Sequence, residues 1–197
     1  MPLLSTPPEL IRIANAIAKS KGRSILVGGA VRDHCMGRKS LKDFDVEIFG
    51  ISPEVLESVL QNFGNIHAVG KSFGVLKLKT SSAEYDFSLP RRENKAGKGH
   101  RGFMVRPDST MSYRDAASRR DFTVNSIGYD LLTKTLLDPF DGLGDIKHKI
   151  LRHVGPAFTE DPLRVLRAMQ FSARLEFKIA PETVQLCKTL DLAELSK

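Results

Sequence analysis

From Asp43 to Phe49 acidic and apolar residues take turns, Asp43, Asp45 and Glu47 against Phe44, Val46 and Ile48. Successive side chains leave a strand on opposite sides, so a period of two marks an extended segment with one face in a core. The other face then carries a row of carboxylates. Just upstream, Ser24 to Val27 is a short apolar run suited to a buried strand, and it ends at Gly28-Gly29. A helix bearing Val31, Arg32 and Asp33 follows and stops near Gly37. Strand, glycine pair, helix and acid-faced strand, in that order, call for an α+β domain.

The remaining segments fit the same class. Pro8 suits the first turn of an N-terminal helix, with Leu10, Ile13, Ala14 and Ile17 on its buried face. Ser52-Pro53-Glu54 starts another, with Val55, Leu56, Val59, Leu60 and Phe63 as its stripe and Gly64 as its end. Phe73 to Lys79 and Ala83 to Leu89 read as strands joined around Ser81-Ser82; the second sets Glu84, Asp86 and Ser88 against Tyr85, Phe87 and Leu89. Arg91 to about Arg106 is basic, holds glycine and lacks apolar periodicity, which predicts a mobile loop. Helical character is predicted from about Tyr113 to Tyr129, and a hairpin-like piece through Leu136-Leu137-Asp138 and Ile150 to Val154.

From Pro162 onward the pattern is helical, with Arg164, Arg167 and Arg174 on one side and Val165, Leu166, Met169 and Ala173 on the other. The expected division is an α+β domain over 1–154 and a helical segment over 155–197. Asp191 to Lys197 carries no closing signal and reads as a chain entering another helix, so the sequence is expected to be a piece of a longer protein.

Net charge narrows the partners. The 197 residues carry +7 at pH 7, with a pI near 9.5. That favours a polyanion such as RNA, although many basic proteins bind none. Cys35 and Cys187 lie far apart with no Cys or His at zinc spacing, so neither a disulfide framework nor a structural zinc is expected. No apolar run approaches membrane-spanning length and the N-terminus lacks a secretory h-region, so a cytoplasmic address and no membrane partner are expected. Oligomeric state is not readable.

Carboxylates two apart on one strand face are hard oxygen donors that can share a divalent ion, which phosphoryl transfer needs at its attacking and leaving oxygens. Asp43 and Asp45 meet that pattern, with Asp86 on another acid-bearing strand as the third donor. Glu47 and Glu84 share those faces and are less favoured. A solvated acidic strand edge would look the same. Gly28-Gly29 lets a phosphate approach the backbone near a helix N-terminus, and Arg32 adds a charge-assisted contact. Such a glycine pair is also a plain turn, and it matches neither a Rossmann nor a Walker pattern.

The order of the motifs is more specific than any one of them. Gly28-Gly29-Ala30-Val31-Arg32-Asp33 followed by Asp43-Phe44-Asp45 resembles the first motif of the CCA-adding enzyme and bacterial poly(A) polymerase family (class II) in the polymerase-β-like nucleotidyltransferase superfamily. Arg119-Arg120-Asp121-Phe122-Thr123-Val124-Asn125 is similar to its ribose-recognition motif, and Leu137-Asp138-Pro139-Phe140-Asp141-Gly142 to the motif joining head to neck. Glu160-Asp161-Pro162-Leu163-Arg164-Val165-Leu166-Arg167 resembles its nucleotide-selecting motif.

The resemblance implies a nucleotidyltransferase head, a mixed β-sheet flanked by helices, followed by the start of a helical neck. It implies magnesium on Asp43, Asp45 and Asp86, and triphosphate contacts from Gly28, Gly29 and Arg32. It places Arg119, Arg120, Asp121 and Asn125 at the ribose, Asp161 and Arg164 at the base edge, and Arg167 toward the triphosphate. The implied reaction is template-independent addition of CMP and AMP from CTP and ATP to the 3′ end of tRNA. Poly(A) addition, addition of only the CC or A part, and a non-catalytic RNA-binding module are the alternatives. Gln170 stands where family members often carry Arg, and the basic segment 91–106 corresponds to a flexible element implicated in the change from C to A addition.

Overall fold

In the computed structural model, which describes residues 4–38, 43–69, 75–95 and 103–192, the first helix, α1 (Pro8–Lys19), buries Leu10, Ile13, Ala14 and Ile17. These are the positions that its 3.6-residue period selects. It packs on β1 (Arg23–Val27). Gly28 then turns the chain into α2 (Gly29–Cys35) with φ 74° and ψ −139°, a left-handed conformation closed to most side chains. The acid-faced strand is β2 (Phe44–Phe49). After it come α3 (Pro53–Leu60), with the Ser52 hydroxyl accepting from the Val55 amide at 3.4 Å, and β3 (Asn65–Val69). β4 (Val75–Lys79) and β5 (Glu84–Ser88) follow.

β6 (Arg91–Lys95) and β7 (Phe103–Pro107) pair as a separate two-stranded sheet. This corrects the loop expected over 91–106: its flanks are strands, and residues 96–102 lie outside the described residues. A ladder of backbone hydrogen bonds needs no apolar alternation, so the basic composition concealed it. Arg92 Nε donates to Asp108 Oδ2 at 2.7 Å beside this sheet.

β8 (Gly128–Asp130) and β9 (Leu136–Leu137) complete a seven-stranded mixed sheet of order β3-β4-β5-β2-β1-β8-β9. β2 and β5 run parallel, whereas β1 is antiparallel to both β2 and β8. The helix predicted to reach Tyr129 is therefore shorter. α4 covers Tyr113–Ala117, a 3₁₀ turn covers Thr123–Asn125, and Gly128 begins a strand. The predicted hairpin is also replaced. Leu136-Leu137 pairs with β8, while β10 (Ile150–Leu151) pairs in parallel with β11 (Lys178–Ile179), beyond the intervening helix α5 (Gly142–His148).

The chain packs as two compact units, one of Met1–Arg92, Val105–Tyr113 and Gly128–Leu137, the other of Glu93–Met104, Arg114–Ile127 and Asp138–Lys197. The first holds the large sheet, cored by Ile25, Leu26, Val46, Ile48, Leu78 and Phe87, each 0% exposed. In the second, Phe122 and Phe158 are also 0% exposed. Phe122 meets Phe158 and Phe171 edge-on, with ring centroids 5.7 and 5.8 Å apart. Phe171 lies on α6 (Leu163–Leu175), which is followed by β11 and α7 (Pro181–Lys188). The buried face of α6 is Ala168, Phe171 and Leu175, not the expected Val165, Leu166, Met169 and Ala173; Leu166 is 44% and Met169 54% exposed. Both sets have helical spacing, and the phenylalanine cluster decides between them.

Candidate functional site

In the unit that holds the large sheet, β1, β2 and β5 bring the first motif together. Val27 is the register partner of Asp45, and Asp45 that of Asp86 on the parallel strand β5. Two carboxylates from segments about forty residues apart thereby stand side by side on one face. Gly28 lies beside them: a β-carbon there would sit 3.4 Å from Asp45 Oδ2. Asp45 is exposed, and Asp86 is paired with Lys77 Nζ at 3.2 Å.

Asp43 lies just before β2, outside the strand itself, with φ 58°. Among the described residues no three His, Cys, Asp or Glu side chains are gathered tightly enough to ligate one ion. A three-carboxylate cage over Asp43, Asp45 and Asp86 is thus not preformed. The donor set on the Asp45–Asp86 row is all oxygen, which fits a hard divalent cation. Of the less favoured acids, Glu47 is buried in β2, and Glu84 is paired with Lys79 at 3.3 Å.

Arg32, expected at a triphosphate, is 3% exposed. Its Nε and Nη2 donate to Asp33 Oδ1 at 2.9 and 2.8 Å. A β-carbon on Gly29 would lie 3.6 Å from Arg32 Nη2, so the guanidinium folds back beside the glycine pair. Asp33, to which the motif assigns no role, anchors Arg32, and its place next to Arg32 in the sequence is the signal for it.

In the other unit the ribose motif and the nucleotide-selecting motif form one cluster. Asp121 is 7% exposed and its carboxylate is fully used. Oδ1 accepts from the Phe122 amide at 2.8 Å and from Asn125 Nδ2 at 2.9 Å. Oδ2 accepts from Arg167 Nε at 2.8 Å and Nη2 at 2.6 Å. Four bonds fill the ordinary capacity of a carboxylate, so Asp121 holds Arg167 and Asn125 in place. Arg167 itself is half-exposed and stacks over Phe171 at 5.1 Å.

Arg164 donates to the carbonyls of Ala157 at 2.6 Å and Arg119 at 2.8 Å, and the Arg119 side chain reaches Glu160 at 4.0 Å. Asp161 Oδ1 accepts from the Leu163 amide at 3.0 Å at the start of α6. Pro162 is the cap of that helix rather than its first residue. Arg120 is half-buried, and Gln170 is exposed on α6. Asp138 in the joining motif caps α5, accepting from the amides of Gly142 at 2.7 Å and Leu143 at 2.9 Å.

The family model for the poly A polymerase head domain matches residues 24–152. The chain belongs to this family. The multifunctional CCA protein of Xylella fastidiosa (strain 9a5c) is 44% identical over 171 residues, 85% of this chain and 39% of that protein. The crystal structure of the Bacillus stearothermophilus CCA-adding enzyme in complex with CTP aligns with a TM-score of 0.75 at 30% identity, covering 92% of this chain and 43% of that one. A tRNA nucleotidyltransferase complexed with a primer tRNA and an incoming ATP analog aligns at 0.71 and 30% identity, covering 89% and 48%. The chain thus spans about two fifths of the length of the curated relative. Poly A polymerase head domains are nucleotidyltransferase domains that generally use a divalent metal, and the mixed sheet flanked by helices is the expected fold. Among the described residues no helix is long and apolar enough to cross a membrane.

Proposed function

We propose that this chain is the catalytic head and the start of the neck of a template-independent RNA nucleotidyltransferase of the CCA-adding type, with residues 1–154 as head and 155–197 as neck. The observation that carries the reading is the Asp45–Asp86 pair on adjacent parallel strands beside Gly28. In the reaction, the 3′-hydroxyl oxygen of a tRNA bonds to the α-phosphorus of CTP or ATP, the bond to pyrophosphate breaks, and the hydroxyl proton leaves to solvent. Asp45 and Asp86, with Asp43 joining them, would hold magnesium, which when bound supplies charge neutralisation at the attacking and leaving oxygens.

The chain's own residues do the rest. Gly28 and Gly29 leave room for phosphate against the backbone, and Arg32 lies beside them as a cation. Arg119, Arg120 and Asn125 face the ribose, Asp121 keeps Asn125 and Arg167 in position, and Arg167 offers its remaining donors to the triphosphate. Asp161 and Arg164 would stand at the base edge, replacing a nucleic-acid template, with Arg164 held in place by the Ala157 and Arg119 carbonyls. tRNA, CTP and ATP are the proposed partners and the cytoplasm the proposed address, in keeping with the +7 charge.

The test is incorporation of labelled CTP and ATP, separately and together, with magnesium, on tRNAs ending before the first C, the second C and the A. A C-then-A product that Asp45→Ala abolishes is expected. Homopolymeric A would assign the chain to poly(A) addition instead. An active Asp45→Ala protein would overturn the mechanism.

A further inference from the structure

The row that carries Asp45 and Asp86 does not end with them. On the far side of β5, Lys77 of β4 is the register partner of Asp86, so Lys77, Asp86 and Asp45 stand in line across three strands. The Lys77 ammonium is 3.2 Å from Asp86 Oδ2, and both side chains are partly open to water, at 45% and 33% exposure. Two ionised carboxylates side by side repel each other. A cation against the outer one offsets that repulsion before any metal arrives. The same cation opposes the metal afterwards, because Asp86 must exchange it for the incoming ion.

We infer that Lys77 is a built-in counter-cation of Asp86 that competes with the divalent ion and so sets the metal affinity of the site. The inference rests on the proposed function for the identity of the site, and it makes Lys77 a positioning residue, not a catalytic one. A lysine suits this task better than an arginine. Its compact charge on a flexible stem makes a single contact and can swing away, whereas a guanidinium would grip the carboxylate with two bonds. Lys79, two residues along on the same strand face, offers an internal comparison: it pairs with Glu84 at 3.3 Å, outside the Asp45–Asp86 row.

The experiment uses manganese as the probe, with free ion counted by electron paramagnetic resonance against the full chain. Lys77→Met and Lys77→Gln are compared with Lys79→Met, Asp86→Asn and the unmodified chain, each first checked for an unchanged thermal midpoint. Loss of the competing charge should tighten manganese binding by about threefold to tenfold in both Lys77 variants, as removal of one partly screened charge at this range predicts. Lys79→Met should change it by less than about twofold. A merely structural role for Lys77 would leave affinity unchanged or weaken it. Manganese binding that depends on Asp86 yet is no tighter in both Lys77 variants overturns this inference alone. Manganese binding indifferent to Asp86→Asn overturns the metal assignment and this inference with it.

Discussion

Removing the Asp121 carboxylate should be among the most costly single changes in the unit that holds α6. Asp121→Ala deletes an acceptor of four hydrogen bonds at 7% exposure. Losing the acceptor for the buried Phe122 amide and for Asn125 costs about 1 kcal/mol each, because both donors stay buried. The pair with Arg167 adds only about 1 kcal/mol, since the arginine is half in water and screened. The sum is about 3 kcal/mol, or a fall of about 6–12 °C in thermal midpoint for a chain of this size. Asp121→Asn keeps an amide oxygen for some of these donors but turns an NH2 toward the rest, so about half the loss is expected. Thermal and urea unfolding followed by far-UV circular dichroism and by hydrogen exchange at Phe122 would read this. A double-mutant cycle with Arg167→Gln should return a coupling of about 1 kcal/mol. An Asp121→Ala protein within about 0.5 kcal/mol of the unmodified chain would refute the anchor role.

Glu9 accepts from the hydroxyls of Ser82 at 2.6 Å, Thr80 at 2.8 Å and Tyr85 at 3.2 Å, and the Ser82 and Thr80 bonds hold its carboxyl below its usual range. A depressed folded-state pKa stabilises above the unfolded value of 4.5, and the contribution fades as pH falls through the folded value. Glu9→Gln should therefore lower urea stability more at pH 6 than at acid pH; an equal loss at both would contradict the linkage. Gly28→Ala forces a side chain into φ 74°, at a cost of about 1–3 kcal/mol, and should weaken CTP binding by calorimetry. Gly142→Ala would drive a methyl group into the Thr123 carbonyl, and should lower the thermal midpoint more than Gly155→Ala, where the space is open.

Much of this was legible without coordinates, and the failures share a cause. The stripe on α1 was readable because Leu10, Ile13, Ala14 and Ile17 have one periodic solution with one buried face. The apolar residues of α6 had two, and only the phenylalanines contributed from Phe122 and Phe158 select the right one. β8 is three residues long and follows a buried run from Asp121 to Ile127 that has no period of its own, so a helix looked continuous. Motif order points to Asp43 and Asp45 and strand alternation to Asp86, but the adjacency of Asp45 and Asp86 depends on a parallel pairing of strands about forty residues apart. Asp43 shows the limit of spacing arguments, because β2 begins one residue after it and the strand's alternation does not formally include it. Lys77 is invisible in the sequence for the same reason as the adjacency of Asp45 and Asp86: register is a property of two strands, and neither segment encodes it alone.

The placement of β1 has a consequence for how the chain is made. β1 is an interior strand flanked by β2 and β8, and its Ile25 and Leu26 pair with Asp130 and Tyr129. The partner on the β2 side leaves the ribosome soon after β1, but the partner on the other side follows about a hundred residues later. At ordinary elongation rates that is about 5–20 s during which an apolar strand edge stands open. For that interval the nascent sheet is vulnerable to pairing with a neighbouring chain, and synonymous changes that slow translation between residues 50 and 128 should lower soluble yield without altering a single side chain.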